Sequence, residues 1–481
     1  MPARVTSEIG RLRSVLVHSP GPELLAVTPS NRADYLYDDI IEAESAQREH
    51  RRFIAILERF TTESQVADFL TAFEAADLHR KLSSVAPGPR NPAIGYFAHE
   101  SLLGGATLHL LMHARIAKRW GFTPCFFMRE KAPAPEFLEI VEREGFALET
   151  DVPFVVSAKP RSVDDNDRSR AAFIHTRLEA RRIALVHSTT VIEEVGLAAK
   201  TLGVPLVRSL HKHPDSPLTP LPPATASSAT EAAKPFGGDV VHSSSLRYAR
   251  EWSATLNAPA YCLRAPMPAA HFERFAARGS RSWPREPHFL ISGTIQRRKR
   301  QLTAIEAVGI LALRGKTVRL TCLGYAHLDP EYVLECRNAI ATLGLAEIVS
   351  IEGFERDPLD RYADTDALLC ASVAESMPQS ILKSMAMGVP IVTTDVGGVG
   401  EVVKDGYSAI IARGDDAHAL AEAMGRCMDL SNEERQAMLL RAYQTASMIC
   451  REDAVALGLM RIYSEAADRA KMRRSVAGRL V

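Results

Sequence analysis

Residues Asp366 to Asp405 read DALLCASVAESMPQSILKSMAMGVPIVTTDVGGVGEVVKD. Asp366–Ser372 is a short run of apolar residues, the pattern of a strand covered on both faces. A loop carrying Glu375 follows, and a helix opens at Pro378, where the missing N–H is one of the donors that lack an intrahelical partner anyway. Ile381, Leu382, Met385 and Ala386 recur at helical spacing, and Gly388 is the expected left-handed cap. A second apolar run, Pro390–Asp395, leads into Gly397-Gly398-Val399-Gly400 and Glu401. Strand, helix and strand in this order point to a parallel sheet with helices over it.

The same rhythm extends in both directions. After residue 285 the spacing predicts strands at His288–Gly293, Thr317–Gly324, Ile348–Gly353, Asp366–Ser372, Pro390–Asp395 and Ser408–Arg413, with helices at Gln301–Arg314, Pro330–Leu343, Pro378–Met387 and Ala417–Met428. Before it, strands are predicted at Ala93–Ala98, Pro124–Met128, Ile183–His187, Pro205–Leu210, Asp239–Ser243 and Ala260–Ala265, with helical stretches such as Ala106–Trp120 and Val191–Leu202 between them. The fold class is therefore α/β: two Rossmann-like, doubly wound parallel-sheet domains facing a cleft. Ligands of such sheets bind beyond the carboxyl ends of the strands. Proline- and glycine-rich punctuation at Ser83–Pro92 and Ala276–Pro287 marks linkers, and Pro214–Gly238 reads as a long loop within a domain. The expected organisation is a module over 1–86, domains over 92–275 and 285–450, and a C-terminal helix over 451–481 crossing back to the first domain.

The chain has 481 residues, enough for two to four domains of ordinary size. Lys plus Arg and Asp plus Glu each total 58, so no global positive field exists to gather nucleic-acid phosphates. No apolar run is long enough to span a bilayer, and the opening residues have no apolar signal-peptide core. The seven cysteines are scattered singly, without the pairing of a zinc site or a disulfide framework. These features give the expectation of a cytoplasmic enzyme with reduced thiols.

The donors at the start of the helix near Pro378 form an anion site beside Glu375. Phosphate joined to hydroxyls, as in a nucleotide sugar, suits such a pairing. At this point the chain resembles the GT4 family of retaining glycosyltransferases, which have the GT-B fold. The likeness runs through Ser372, Glu375, Ser384-Met385-Ala386-Met387-Gly388-Val389-Pro390, Thr394-Asp395-Val396-Gly397-Gly398, Glu401-Val402-Val403 and Asp405-Gly406. One position departs from it. The second glutamate of the family's Glu-x7-Glu falls at Lys383, and an ammonium donates hydrogen bonds where the ribose-binding carboxylate accepts them. Lys383 is either a tolerated lysine on a solvent face, the mark of an unusual donor, or the mark of lost activity.

A second element, Gly293-Thr294-Ile295-Gln296-Arg297-Arg298-Lys299-Arg300-Gln301, resembles the family's phosphate-binding turn. The resemblance implies that Arg298 and Lys299 neutralise the donor diphosphate; the plain alternative is a solvated basic run. Gly104 and Gly105, in Tyr96–Ala106, resemble the family's glycine turn near the donor phosphates, and His211, ending Pro205–His211, resembles its histidine beside the transferred sugar. A plain loop histidine is the alternative for His211. His211 and His213 lack further metal ligands in sequence, and His187 resembles a structural position. The resemblance further implies that Glu375 contacts the sugar and that Gly293, Ser376, Met377, Pro378, Gln379 and Lys383 line the nucleotide and sugar. No cofactor or metal is implied for the chemistry.

Residues 5 to about 60 resemble the opening of bacterial arginine deiminases, through Ser7–Gly21, Thr28-Pro29-Ser30-Asn31, Leu36-Tyr37-Asp38-Asp39-Ile40 and Glu44, Gln47, Glu49 and His50. This short α+β module holds no cysteine, so it carries no deiminase nucleophile. It reads as a packing or assembly module, continued by a helix over Thr62–Leu82, through which a homo-oligomer could form. Asp164-Asp165-Asn166-Asp167 reads as a solvated loop and Asp329 as a helix cap. The basic tail from Arg469 to Arg474 offers a peripheral contact to anionic lipid or is simply solvated. The expected function is retaining transfer of a sugar, of hexosyltransferase type, from a nucleotide-diphosphate sugar to an acceptor that the sequence does not reveal. The alternative is a catalytically impaired nucleotide-sugar-binding or scaffold protein.

Overall fold

The computed structural model describes residues 63–85, 91–156, 163–212, 238–256, 259–278, 282–356 and 358–477. The deiminase-like segment and nearly all of Pro214–Gly238 lie outside the described residues. The chain divides into two compact units, residues 1–76 and 77–481. Of the first, the described part opens the helix Glu63–Val85. The second contains two parallel sheets.

The first sheet holds β1 (Ala93–Ala98), β2 (Thr123–Met128), β3 (Ala147–Glu149), β4 (Ile183–Thr189), β5 (Leu206–Ser209), β6 (Val240–Ser243) and β7 (Ala260–Cys262), in the order β3-β2-β1-β4-β5-β6-β7. The second holds β8 (His288–Ser292), β9 (Arg319–Leu323), β10 (Val349–Glu352), β11 (Ala367–Cys370), β12 (Ile391–Thr393) and β13 (Ile410–Ile411), in the order β10-β9-β8-β11-β12-β13. All the strand pairings are parallel. In both sheets the order reverses beside the first strand, between β1 and β4 and between β8 and β11. That reversal opens the crevice in which doubly wound sheets bind ligands.

Alternation along the strands builds a core on each face of the second sheet. Phe289, Ile291, Leu369 and Val392 point to the side covered by helices Gln301–Leu313 and Ala417–Met428. Leu290, Leu368, Cys370 and Ile391 point to the side covered by helix Gln379–Met387 and by Ala442 and Ala446 of helix Asn432–Ile449. Each large apolar side chain so buried contributes about 1.5–3 kcal/mol relative to exposure. The C-terminal helix, Glu452–Ala477, lies on the first sheet. Tyr463 Oη is 2.7 Å from His187 Nδ1, and Arg473 Nη1 donates to Asp239 Oδ1 at 2.5 Å.

Several sequence expectations need correction. Asp164–Asp167 is no solvated loop: Asp164 caps helix Asp165–Ala180, its carboxylate accepting from Asp167 N at 2.7 Å while Asp167 accepts from Asp164 N at 3.0 Å. This reciprocal capping box satisfies two otherwise orphaned donors, and Arg170 pairs with the buried Asp167 carboxylate. Pro378 stands one residue outside its helix, which begins at Gln379. The short edge strand β3 was not expected, because its three half-buried residues carry no apolar run. The basic tail is partly committed within the protein, since Arg469 pairs with Glu465 at 2.9 Å and Arg473 with Asp239. Asp329 does cap its helix, accepting from Tyr332 N at 3.2 Å. No described helix is long and apolar enough to cross a membrane.

Candidate functional site

The basic run after β8 is sorted by its backbone. Arg297–Lys299 forms a single turn of 3-10 helix, followed by Arg300 in the left-handed region at φ 54°. Residues three apart share a face in such a turn. Arg297 and Arg300 accordingly turn outward, to Glu335 at 2.5 Å and to Asp415 at 3.2 Å. Arg298 and Lys299 turn inward, and both meet one carboxylate oxygen of Glu375, at 2.7 and 2.5 Å. Gly293 makes room for this turn: its φ of 153° is open to glycine, and a Cβ there would lie 3.3 Å from Lys299 Cε.

Glu375 stands on the loop after β11, with its side chain 12% exposed. Burial pushes its carboxyl group up, but the Lys299 ammonium and the Arg298 guanidinium more than offset that, and the group is held below the usual carboxylate range. The loop is buttressed from behind. Gly398 N donates to Ser376 O at 2.7 Å, and at Gly397 (φ 54°) a Cβ would fall 1.7 Å from Glu375 O. The two glycines therefore serve to let the loops after β11 and β12 touch backbone to backbone.

The first sheet closes on this loop. Gln379 Nε2 donates to Gly105 O at 2.7 Å, and Ser376 Oγ lies 3.0 Å from Ser243 Oγ and 3.3 Å from Ser245 Oγ. Both Ser376 and Met377 are buried: Ser376 serves the seam between the sheets, and Met377 packs into the core of the second sheet. Pro378 caps the helix start. Gly104 caps helix Gly105–Arg119, with a hypothetical Cβ 3.5 Å from Glu100 Oε1. Lys383 lies one turn beyond Gln379, with Nζ 6.0 Å from the centre of the Tyr362 ring. His211 follows β5 and places Nδ1 3.0 Å from Ser244 Oγ, between the two serines that meet Ser376. Burial, then the neighbouring His109 and His99, hold His211 well below the usual histidine range, so it is neutral.

Two contributors were given no role from sequence. Glu100, at the carboxyl end of β1, is bonded to His99 Nε2 at 3.2 Å; this bond, against opposing burial and with the charges of Lys212 and Arg298, lowers its pKa. Its position after the first strand was the available signal. Glu401 serves as a clamp: it accepts from Leu246 N and Arg247 N, both at 2.9 Å, and from Arg264 Nη2 at 2.5 Å. A carboxylate at the start of helix Leu246–Leu256 satisfies orphan donors there and complements the helix dipole. The loops after β8, β11 and β12 thus gather two cations, a carboxylate and the first backbone N–H groups of helix Gln379–Met387 opposite the glycine turn of the first sheet.

Residues 286–429 match the family described as glycosyl transferases group 1. The amylovoran biosynthesis glycosyltransferase AmsK of Erwinia amylovora is 31% identical over 131 residues, covering 26% of this chain and 31% of that protein. Arginine deiminase of Rhodococcus erythropolis is 43% identical over 72 residues, 15% of this chain and 18% of that enzyme. The chain thus spans a third or less of the length of these curated relatives. Among solved structures, Anabaena HepE in complex with UDP and glucose superposes with a TM-score of 0.58 at 18% identity, covering 76% of this chain and 96% of that one. The fold is GT-B. Residues 286–429 are thus similar to group 1 glycosyl transferases, and a separate stretch is similar to arginine deiminases.

Proposed function

We propose that the chain is a retaining glycosyltransferase that moves a hexosyl group from a nucleotide-diphosphate sugar to an acceptor bound against the first sheet. The observation that carries this reading is the convergence of Arg298 and Lys299 on Glu375 at the order reversal of the second sheet. A diphosphate laid against this turn meets two cations and the free N–H groups at the start of helix Gln379–Met387. As the glycosidic bond breaks, negative charge gathers on the leaving phosphate. Fixed cations in a partly dry cleft stabilise that charge more than they stabilise the ground state. Glu375, ionised, accepts hydrogen bonds from sugar hydroxyls. His211, neutral, lies near the same sugar. No enzymatic nucleophile enters this account: the departing phosphate oxygen takes the acceptor proton as the acceptor attacks on the same face, which retains the anomeric configuration. The positive charge required is supplied by side chains, so the reading needs no metal for this step. That Anabaena HepE is held with UDP and glucose makes UDP-glucose the first donor to try.

Lys383 favours a second reading, a nucleotide-sugar-binding protein with little turnover. An ammonium at this position gives the ribose hydroxyls a donor in place of an acceptor. One assay separates the two readings: donor hydrolysis and transfer with UDP-, GDP- and ADP-sugars, for wild type, Glu375→Ala and Lys383→Glu. Turnover by wild type with at least one donor, abolished in Glu375→Ala, is expected. Lys383→Glu is expected to change which nucleotide is preferred by about tenfold or more, through one charge-assisted hydrogen bond gained or lost. Absence of turnover with every donor, unrelieved by Lys383→Glu, selects the binding protein.

A further inference from the structure

The first sheet encloses a group of histidines that sugar transfer does not use. His109 and His113 stand one turn apart on helix Gly105–Arg119, His187 lies on β4 and His242 on β6, and all four are buried. One ring nitrogen from each of His113, His187 and His242 falls within 4.8 Å of the others. The Nε2 atoms of His187 and His242 are 3.1 Å apart, with Ser209 Oγ at 2.5 Å from the first and 2.7 Å from the second. Two neutral imidazoles repel if both present lone pairs at that distance, and the single hydroxyl hydrogen of Ser209 satisfies only one of them. Among the described residues, His113 has no hydrogen-bond partner at either ring nitrogen, and His242 has none at Nδ1. Buried polar nitrogens are ordinarily paired, so unpartnered ones converging on a common point indicate a ligand.

We propose that His113, His187 and His242 bind a divalent transition-metal ion, zinc foremost, with Ser209 Oγ as the adjacent oxygen. Imidazole nitrogen suits zinc and its neighbours in the first transition row and does not suit magnesium or calcium. The surroundings supply the orienting contact that metal-binding histidines need. His187 Nδ1 is 2.7 Å from Tyr463 Oη, which lies 3.2 Å from Tyr96 Oη. With the proton on Nδ1 shared with this phenol, the Nε2 lone pair faces His242. His109 links the group to His211, its ring centre being 4.3 Å from that of His113 and 5.0 Å from that of His211. An ion here pins helix Gly105–Arg119 to β4 and β6 beneath the C-terminal helix. Its role is structural, and it stands independently of the sugar-transfer reading.

The full chain, stripped with a chelator and dialysed, is titrated with Co2+ and then with Zn2+. The expected results are about one ion per chain, the intense visible absorption of four-coordinate cobalt, its bleaching by Zn2+, and a rise in Tm of several degrees. His113→Phe, which keeps a ring of similar bulk, is expected to lower affinity at least a hundredfold, whereas the exposed His327→Ala leaves binding unchanged. Binding weaker than millimolar in wild type, or equal in His113→Phe, overturns the site and leaves the cluster a hydrogen-bonded relay. Should His113→Phe fail to fold, X-ray absorption of the zinc-loaded wild type decides: about three imidazole nitrogens at about 2.0–2.1 Å support the site, and an oxygen-only shell overturns it.

Discussion

Replacing Lys299 with methionine lowers kcat for sugar transfer by about two to three orders of magnitude, while KM for the donor rises by a much smaller factor. The physical reason is the position of the charge. Lys299 Nζ is 2.5 Å from the Glu375 carboxylate, on a side chain only 14% exposed, where solvent screening is weak. The diphosphate already carries charge in the ground state, and additional charge appears on its outer phosphate only as the glycosidic bond breaks. A cation fixed beside that oxygen therefore acts mainly on the transition state, and removing one such contact in other enzymes costs about 3–4 kcal/mol. A pH profile separates this role from a merely structural one. In wild type the cations keep Glu375 ionised to below the ordinary carboxylate range, so the acid limb of activity lies low. Without Lys299, burial is opposed only by Arg298 and a hydrogen bond from Ser372, the carboxyl pKa rises, and the acid limb moves to higher pH. Loss of activity with an unmoved limb would mean that Lys299 acts elsewhere.

Gly397→Ala is the substitution with the largest expected effect on the fold of the site. Its Cβ would fall 1.7 Å from Glu375 O, and the neighbouring Ser376 O is also within 2.8 Å. Both are backbone atoms and cannot rotate aside. The loop carrying Glu375 has to move, or the turn after β12 does, and the hydrogen bond from Gly398 N to Ser376 O is lost with it. Strain at φ 54° adds about 1 kcal/mol, and the total destabilisation is expected to exceed about 3 kcal/mol, with transfer falling below a hundredth of wild type. Gly315→Ala is the control. Its φ is 74°, comparably unfavourable for alanine, but nothing lies within 4 Å of the new Cβ. It should cost only about 1 kcal/mol and leave turnover unchanged. Denaturant unfolding of both variants checks the difference; equal losses would show that backbone strain, not collision, governs Gly397.

Much of this arrangement was legible in the residues themselves. β11, β12 and the helix between them follow from apolar spacing and from Gly388, which is left-handed at φ 68° as expected of a cap. The basic run was legible as a phosphate turn, but its division into outward Arg297 and Arg300 and inward Arg298 and Lys299 depends on one 3-10 turn that spacing alone does not reveal. Glu401 was visible only as an acid after a glycine loop. Its partners at 246, 247 and 264 come from helix Leu246–Leu256 and the segment after β7, and no local pattern announces them. The histidine group was hidden for the same reason. His109 and His113 are one helical turn apart, yet His187 and His242 join them only because β4, β5 and β6 lie side by side. Local periodicity encodes elements; convergence of distant residues is encoded by strand order.

The central claim is that a nucleoside diphosphate rests on Arg298 and Lys299 at the carboxyl end of β8. Titration calorimetry of UDP, GDP and ADP into wild type and into the Arg298→Ala/Lys299→Ala double variant tests it most directly. At least one nucleotide should bind wild type, and the double variant should bind it about a hundredfold or more weakly, since two charge-assisted contacts are lost. Equal affinity in the two proteins would contradict the account.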